Sequence, residues 1–274
     1  MIETTLAAVF GLLIGSFLNV CIYRWPRDLS VVRPRSHCPA CGQPVAWFDN
    51  VPVLSFLILR GRCRGCHVPI SLRYPAVELL TALFFGWFAY RHGWTLDTLR
   101  SCVFSAILIT LIFADAETRI LPDEFTLGGA MAGLVFALFL PVPDISAHAL
   151  AFIFDIQANP HVLSLAEGLL GAIVPSGSLW LGGLLFEKLR HKEGLGFGDV
   201  KMIAMIGAFL GLRAALLTLI VGSTLGSVIG LAYIAISRKD ARTYQLPLGA
   251  FLGIGGLAVE LYGQLVIDWY ARRL

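Results

Sequence analysis

The sequence predicts an all-α polytopic membrane protein of about eight transmembrane helices, with a small cytoplasmic loop domain built on four cysteines. Three observations carry that prediction. Apolar residues make up 57% of the 274 residues and charged residues only 14%, against about a quarter in ordinary soluble domains. The apolar residues fall into runs near the ~20 residues needed to cross a ~30 Å hydrocarbon core. Lys and Arg collect on alternate connections, the pattern that orients helices in a bilayer. A soluble chain with a mean hydropathy of +0.77 would need a far larger core than this length encloses. The net charge of +3 is too small to point to nucleic acid.

Eight apolar runs can be drawn: 6–23, 75–90, 99–114, 125–140, 165–186, 200–212, 214–236 and 246–267, the sixth being short. The first has no basic residue ahead of it and no Ala-x-Ala cleavage site before Arg24, so it reads as a retained helix rather than a leader. The organisation that follows is a first transmembrane helix over 1–23, a loop domain over 24–74 and a seven-helix membrane core over 75–274. The stretch 141–164 is an insertion without Lys or Arg, and its apolar centre, 147–156, fits a short helix lying on the bilayer.

Orientation follows from the basic residues. The loop carries Arg24, Arg27, Arg33, Arg35, Arg60, Arg62, Arg64 and Arg73 against Asp28 and Asp49. Lys188, Arg190, Lys192 and Lys201 follow the fifth run; Arg238, Lys239 and Arg242 follow the seventh. These connections are therefore cytoplasmic and the N-terminus extracytoplasmic. Arg91, Arg100, Arg213 and the Arg272-Arg273 tail are exceptions.

The loop holds two Cys-x-x-Cys pairs, Cys38 with Cys41 and Cys63 with Cys66, separated by 21 residues. Two such knuckles supply four thiolates, a tetrahedral set that suits a structural zinc and leaves no open coordination position. Gly42 and Gly65 are placed to let the backbone turn at each knuckle, and the surrounding arginines favour thiolate. Two disulfides are one alternative, disfavoured on the reducing side of the membrane, and a redox-active pair is another, disfavoured because the knuckle is duplicated in a small Pro/Gly-rich segment. His37 and His67 read as bystanders, and Cys21 and Cys102 as small apolar residues within helices.

Ionisable groups at the edge of apolar runs are functional candidates. One cluster follows the third run: Asp115, Glu117, Arg119 and, after Pro122, Asp123. The other precedes the sixth: Glu193, Gly194, Gly196, Gly198, Asp199 and Lys201. Both fall on the cytoplasmic side, so Asp115 and Asp199 are candidates to converge. Two adjacent carboxylates share a proton; the ionised one can activate water while the protonated one polarises an amide carbonyl. Gly196 and Gly198 would let an extended peptide approach the carboxylate. Lys201 is expected near the site, balancing Asp199 or a lipid phosphate. Asp123 and Glu124 read as an N-terminal cap of the next helix, and Glu117 with Arg119 as a solvated loop pair.

With these motifs in order, the sequence resembles the type IV prepilin peptidases over nearly its whole length. The resemblance rests on Gly15 to Pro26 (GSFLNVCIYRWP), the paired Cys-x-x-Cys loop, Ser71 to Thr81, Asp115 to Asp123, the Gly194 to Lys201 box, and Pro247-Leu248-Gly249. It implies an intramembrane aspartic protease with Asp115 and Asp199 as the catalytic pair, removing leaders from prepilins or pseudopilins at the cytoplasmic face of the bacterial inner membrane. It also implies N-methylation of the new N-terminus from S-adenosylmethionine. The residues alone support only the protease half, since no glycine-rich nucleotide fingerprint follows a strand. Two rivals are a proton-coupled transporter, which would place carboxylates near mid-helix in matched halves, and a catalytically inactive membrane scaffold.

Overall fold

The computed structural model describes residues 1–155, 157–190, 195–237 and 246–273. The expectations for Ile156, Lys192, Glu193, Gly194, Arg238, Lys239 and Arg242 fall outside the described residues. Among the described residues there is no strand, only isolated bridges His37–Pro44 and Arg62–Pro69. The helices are α1 (Ile2–Arg24), α2 (Leu54–Ile58), α3 (Arg73–His92), α4 (Leu96–Thr118), α5 (Asp123–Phe139), α6 (Ser146–Ile153), α7 (Pro160–Arg190), α8 (Phe197–Leu210), α9 (Leu212–Ser237) and α10 (Leu248–Ala271).

Each of the eight apolar runs forms a helix, with one adjustment. The run 200–212 breaks at Gly211, whose φ of +83° ends α8, and Leu212 opens α9. Five helical stretches are long and apolar enough to cross a membrane: Ile2–Arg27, Leu96–Thr118, Pro160–Arg190, Leu212–Tyr233 and Leu248–Ala271. Helices α5 and α8 are shorter, at 17 and 14 residues. Helix α3 has 20 residues but opens on Arg73, buries Glu78 and ends on Arg91 and His92.

The chain divides into two compact units, Met1–Ala114 and Asp115–Leu274. In the first, α1 packs along α3 through Gly11 and Gly15. A Cβ on either would stand 2.7 Å from a Cα of α3, Ala82 and Glu78 respectively. Without a hydrophobic drive between helices in lipid, close backbone approach at such small residues is what holds a pair together. Asn19 adds a tie: its side-chain amide donates to the Tyr74 carbonyl at 3.0 Å.

In the second unit α8 is the central element. Met202, Ile203, Met205, Ile206 and Ala208 are all fully buried, which is why its sequence shows no polar face. It meets α7 where Gly207 lies against Gly171, with no room for a Cβ on Gly207. The 141–164 segment carries the expected short helix as α6, and two contacts fix its first part. Asp144 accepts from Arg213 Nε at 2.7 Å and from the Arg213 amide at 2.9 Å, which gives that exceptional arginine a local partner. His148 Nδ1 lies 3.0 Å from Oε1 of Glu167, a fully buried residue of α7.

Candidate active site and thiol cluster

Asp115 sits one turn from the end of α4 and is 5% exposed. Its Oδ2 accepts a 2.8 Å hydrogen bond from the backbone N–H of Ala250, in the first turn of α10. The neighbouring Gly249 makes that approach possible: a Cβ there would lie 3.1 Å from the Asp115 carboxyl carbon and 2.9 Å from Leu121 Cδ1. Asp199 is the third residue of α8, and Gly196 is its N-cap. An acid in the first helical turn is favoured by the unpaired N–H groups and the dipole there. The charge of Asp115 acts on Asp199, so the two carboxyl groups share one electrostatic environment, and the charge of Arg119 acts on Asp115.

The glycines ahead of Asp199 differ in use. Gly196 is exposed and borders the carboxylate, a Cβ there falling 3.2 Å from Asp199 Oδ2. Gly198 is instead closed by Leu121, whose Cβ and Cδ1 lie 3.2 Å from where its Cβ would be. Leu121 thus touches both Gly198 and Gly249, packing the two glycine segments around Asp115 and Asp199. Only Gly196 keeps the open approach expected of both glycines.

Lys201 points elsewhere than expected. Its Nζ pairs with Asp123 Oδ1 at 2.6 Å and lies over the Phe197 ring, 5.1 Å from the centroid. Two residues apart on one helix, Lys201 and Asp199 do not share a face. Asp123 and Glu124 do not cap α5; Pro122 is the N-cap, without a side-chain cap bond, and the two acids occupy the first turn. Residue reasoning overlooked Leu121 and Ala250. Ala250 was signalled only by the Pro247-Leu248-Gly249 motif beside it, and Leu121 by nothing local.

The four loop cysteines converge. Their sulfurs all lie within 4.8 Å of one another, and among the described residues this cluster comprises the four thiols alone, without His37 or His67. Cys38 Sγ and Cys66 Sγ are 3.7 Å apart, close to the ~3.8 Å edge of a tetrahedron with 2.3 Å zinc–sulfur bonds. The amides of Cys41 and Ala40 pull the Cys38 thiol down to about 6. Cys66 accepts from the Val68 amide but is pushed up to about 11 by burial and the neighbouring thiols. A bound cation would resolve this split by favouring thiolate at every position. The cluster can hold a zinc ion.

The knuckles repeat each other with an offset of 25 residues. Cys38 N–H donates to Gln43 O and Cys63 N–H to Val68 O, both at 2.9 Å; Gly42 N–H returns to Cys38 O and His67 N–H to Cys63 O. Val45 to Ser36 and Ile70 to Gly61 complete the pattern. The residue at the left-handed position is Gly42 (φ +70°) in one knuckle and His67 (φ +58°) in the other. Gly65 is therefore not the turn residue expected; a side chain there would run into Gln43 Oε1.

Comparison with known proteins gives two family matches. Residues 9–92 match the Bacterial Peptidase A24 N-terminal domain, and residues 102–231 match the Type IV leader peptidase family. Proteins named prepilin leader peptidase/N-methyltransferase are similar over most of the chain. The Myxococcus xanthus protein is 43% identical over 86% of this chain, which spans 64% of that relative's length. The Neisseria gonorrhoeae protein is 36% identical over 97% of this chain and 93% of its own, and the Aeromonas hydrophila protein 35% identical with the same coverage. No solved structure matches.

Proposed function

Since the chain belongs to the type IV leader peptidase family, we propose that it cleaves prepilin leaders with Asp115 and Asp199 and then N-methylates the new N-terminus. The observation that carries the cleavage step is that Asp115, held by the Ala250 amide, lies against Gly249 and that Leu121 packs on both Gly249 and Gly198, the residue before Asp199. Two carboxyl groups in one field are easier to charge once than twice, so they hold a single proton between them. The ionised partner takes a proton from water as it attacks the scissile carbonyl; the protonated partner donates to the carbonyl oxygen. The tetrahedral species then collapses: the carboxyl group that took water's proton passes it to the nitrogen as the C–N bond breaks, the new N-terminal amine leaves, and the leader keeps the carboxyl group as the other carboxylate recovers its proton. Gly196, exposed beside Asp199, is where an extended peptide backbone reaches the pair.

In this reading the protein lies in the bacterial inner membrane. The arginine-rich loop and both aspartates face the cytoplasm, by the basic-residue pattern. Prepilins are the substrates that the relatives' name supports, and pseudopilins extend the same chemistry. Cys38, Cys41, Cys63 and Cys66 hold a structural zinc that ties the loop. S-adenosylmethionine supplies the electrophilic methyl group. The carboxylates belong to helix ends rather than mid-helix, which favours a peptidase over a proton-relaying transporter.

The test is leader cleavage by Asp115→Asn and Asp199→Asn in detergent or vesicles, with a synthetic prepilin and product masses as readout. Each variant should remain folded and lose cleavage. Normal processing by either variant would overturn the pair.

A further inference from the structure

Unit Met1–Ala114 contains a cavity of about 350 Å³ that the peptidase reading leaves unused. That volume lies in the usual range of a small-ligand site. One wall is a stripe of α1, Leu13, Ser16, Phe17 and Val20, at the i, i+3, i+4, i+7 spacing of a single helical face. The other end is polar and basic, made by Arg24, Arg35, Ser36 and Asn50. The helical rise places Leu13 about 16 Å below Arg24, roughly half of a ~30 Å hydrocarbon core. Arg24 closes the apolar run of α1, so the basic end of the cavity lies at headgroup depth and the apolar end among acyl chains.

Arg24 is the decisive residue. It is 7% exposed, and its two terminal nitrogens donate to the carbonyls of Ser30 (2.8 Å) and Pro34 (2.7 Å). Two neutral carbonyls accept from it but leave its charge uncountered, and a buried charge is costly unless countered. Among the described residues lining the cavity there is no carboxylate. Of the acids of this unit's loop, Asp49 forks onto Arg64 and Asp28 is exposed to solvent, while Glu78 of α3 accepts from the Val53 amide. Two arginines without an acid call for an anion, and Leu13 and Phe17, each at least half exposed, call for a hydrocarbon tail.

We propose that this groove binds one anionic phospholipid, its headgroup between Arg24 and Arg35 and an acyl chain along Leu13, Phe17 and Val20. The headgroup would join the end of α1 to the Pro34–Ser36 segment that leads into the first cysteine knuckle, so lipid binding would brace the loop.

The test is native mass spectrometry on the purified full-length chain in detergent, titrated separately with dioleoyl phosphatidylglycerol, dioleoyl phosphatidylcholine, inorganic phosphate and S-adenosylhomocysteine. One phosphatidylglycerol should be retained at least tenfold more tightly than phosphatidylcholine. Arg35→Ala, at an exposed position, should weaken it roughly tenfold, the scale of one charge-assisted contact. Val20→Trp should block the acyl half and lose the lipid with the basic end intact. Equal retention of both lipids, saturation by phosphate alone, displacement of the lipid by S-adenosylhomocysteine, or undiminished binding by both variants would overturn the proposal.

Discussion

The backbone N–H of Ala250 is bonded to Oδ2 of Asp115 at 2.8 Å, so the start of α10 holds one candidate catalytic carboxyl group in place. An amide fixed in a helix's first turn does not reorganise, and this keeps the Asp115 carboxyl group in one position. The pairing is also sterically exacting, because Gly249 carries no atom where a Cβ would press on Asp115.

Gly249→Ala should therefore harm chemistry more than folding. The added methyl would crowd the Asp115 carboxyl carbon at 3.1 Å and Leu121 at 2.9 Å, a strain on the order of 1–3 kcal/mol. Steady-state kinetics on a synthetic prepilin should show kcat reduced roughly tenfold or more with KM little changed. A rise in KM at constant kcat would place Gly249 in substrate binding instead.

Lys201→Ala should leave cleavage within a few-fold of the parent, because its partner is Asp123 and not Asp199. The Asp123 side chain is 56% exposed, so the pair is worth no more than about 1 kcal/mol. A double-mutant cycle with Asp123→Ala on thermal stability should return a coupling of that size. Abolished cleavage would assign Lys201 a role that the ion pair does not account for.

Cys38→Ser combined with Cys63→Ser should lose the metal, as read by elemental analysis, and loosen the loop to proteolysis between the knuckles. Methylation should fall more than cleavage, since both aspartates belong to the other compact unit. Full metal stoichiometry in this variant would remove zinc from the loop.

Asp144 supplies a pH test of stability. Its burial opposes ionisation, but the Arg213 amide and guanidinium, the Ile145 amide and the Ser146 hydroxyl outweigh that and hold its carboxyl below the usual range. A depressed native pKa means that the stabilisation is complete above the unfolded value near 4 and drains away as pH falls through the native value. The melting temperature should drop below about pH 4, and Asp144→Asn should flatten that dependence. Asp144→Ala at neutral pH should cost about 1–3 kcal/mol through its lost charge-assisted hydrogen bonds, since Arg213, 30% exposed, can still reach water.

Much of the molecule was legible in one dimension because bilayer physics acts locally. Each apolar run became a helix, and the two Cys-x-x-Cys pairs announced their cluster, since a helix closes its own hydrogen bonds and a knuckle is a few consecutive residues. Asp123 and Lys201 were misjudged because their partners are 78 residues apart and no periodicity marks such a pair. Gly65 was misjudged for a similar reason: its constraint is Gln43 of the other knuckle.

Sequence by itself determined the helical class, the membrane setting, the thiol cluster and the two acids worth following. Tertiary structure alone decided which backbone amide holds Asp115, that Leu121 joins the glycines on either side of it, and that Arg24 is buried with carbonyls and no acid. The division is physical. Hydropathy and turn chemistry are properties of neighbouring residues, whereas a carboxylate's environment is made by whichever helices the folded chain brings against it.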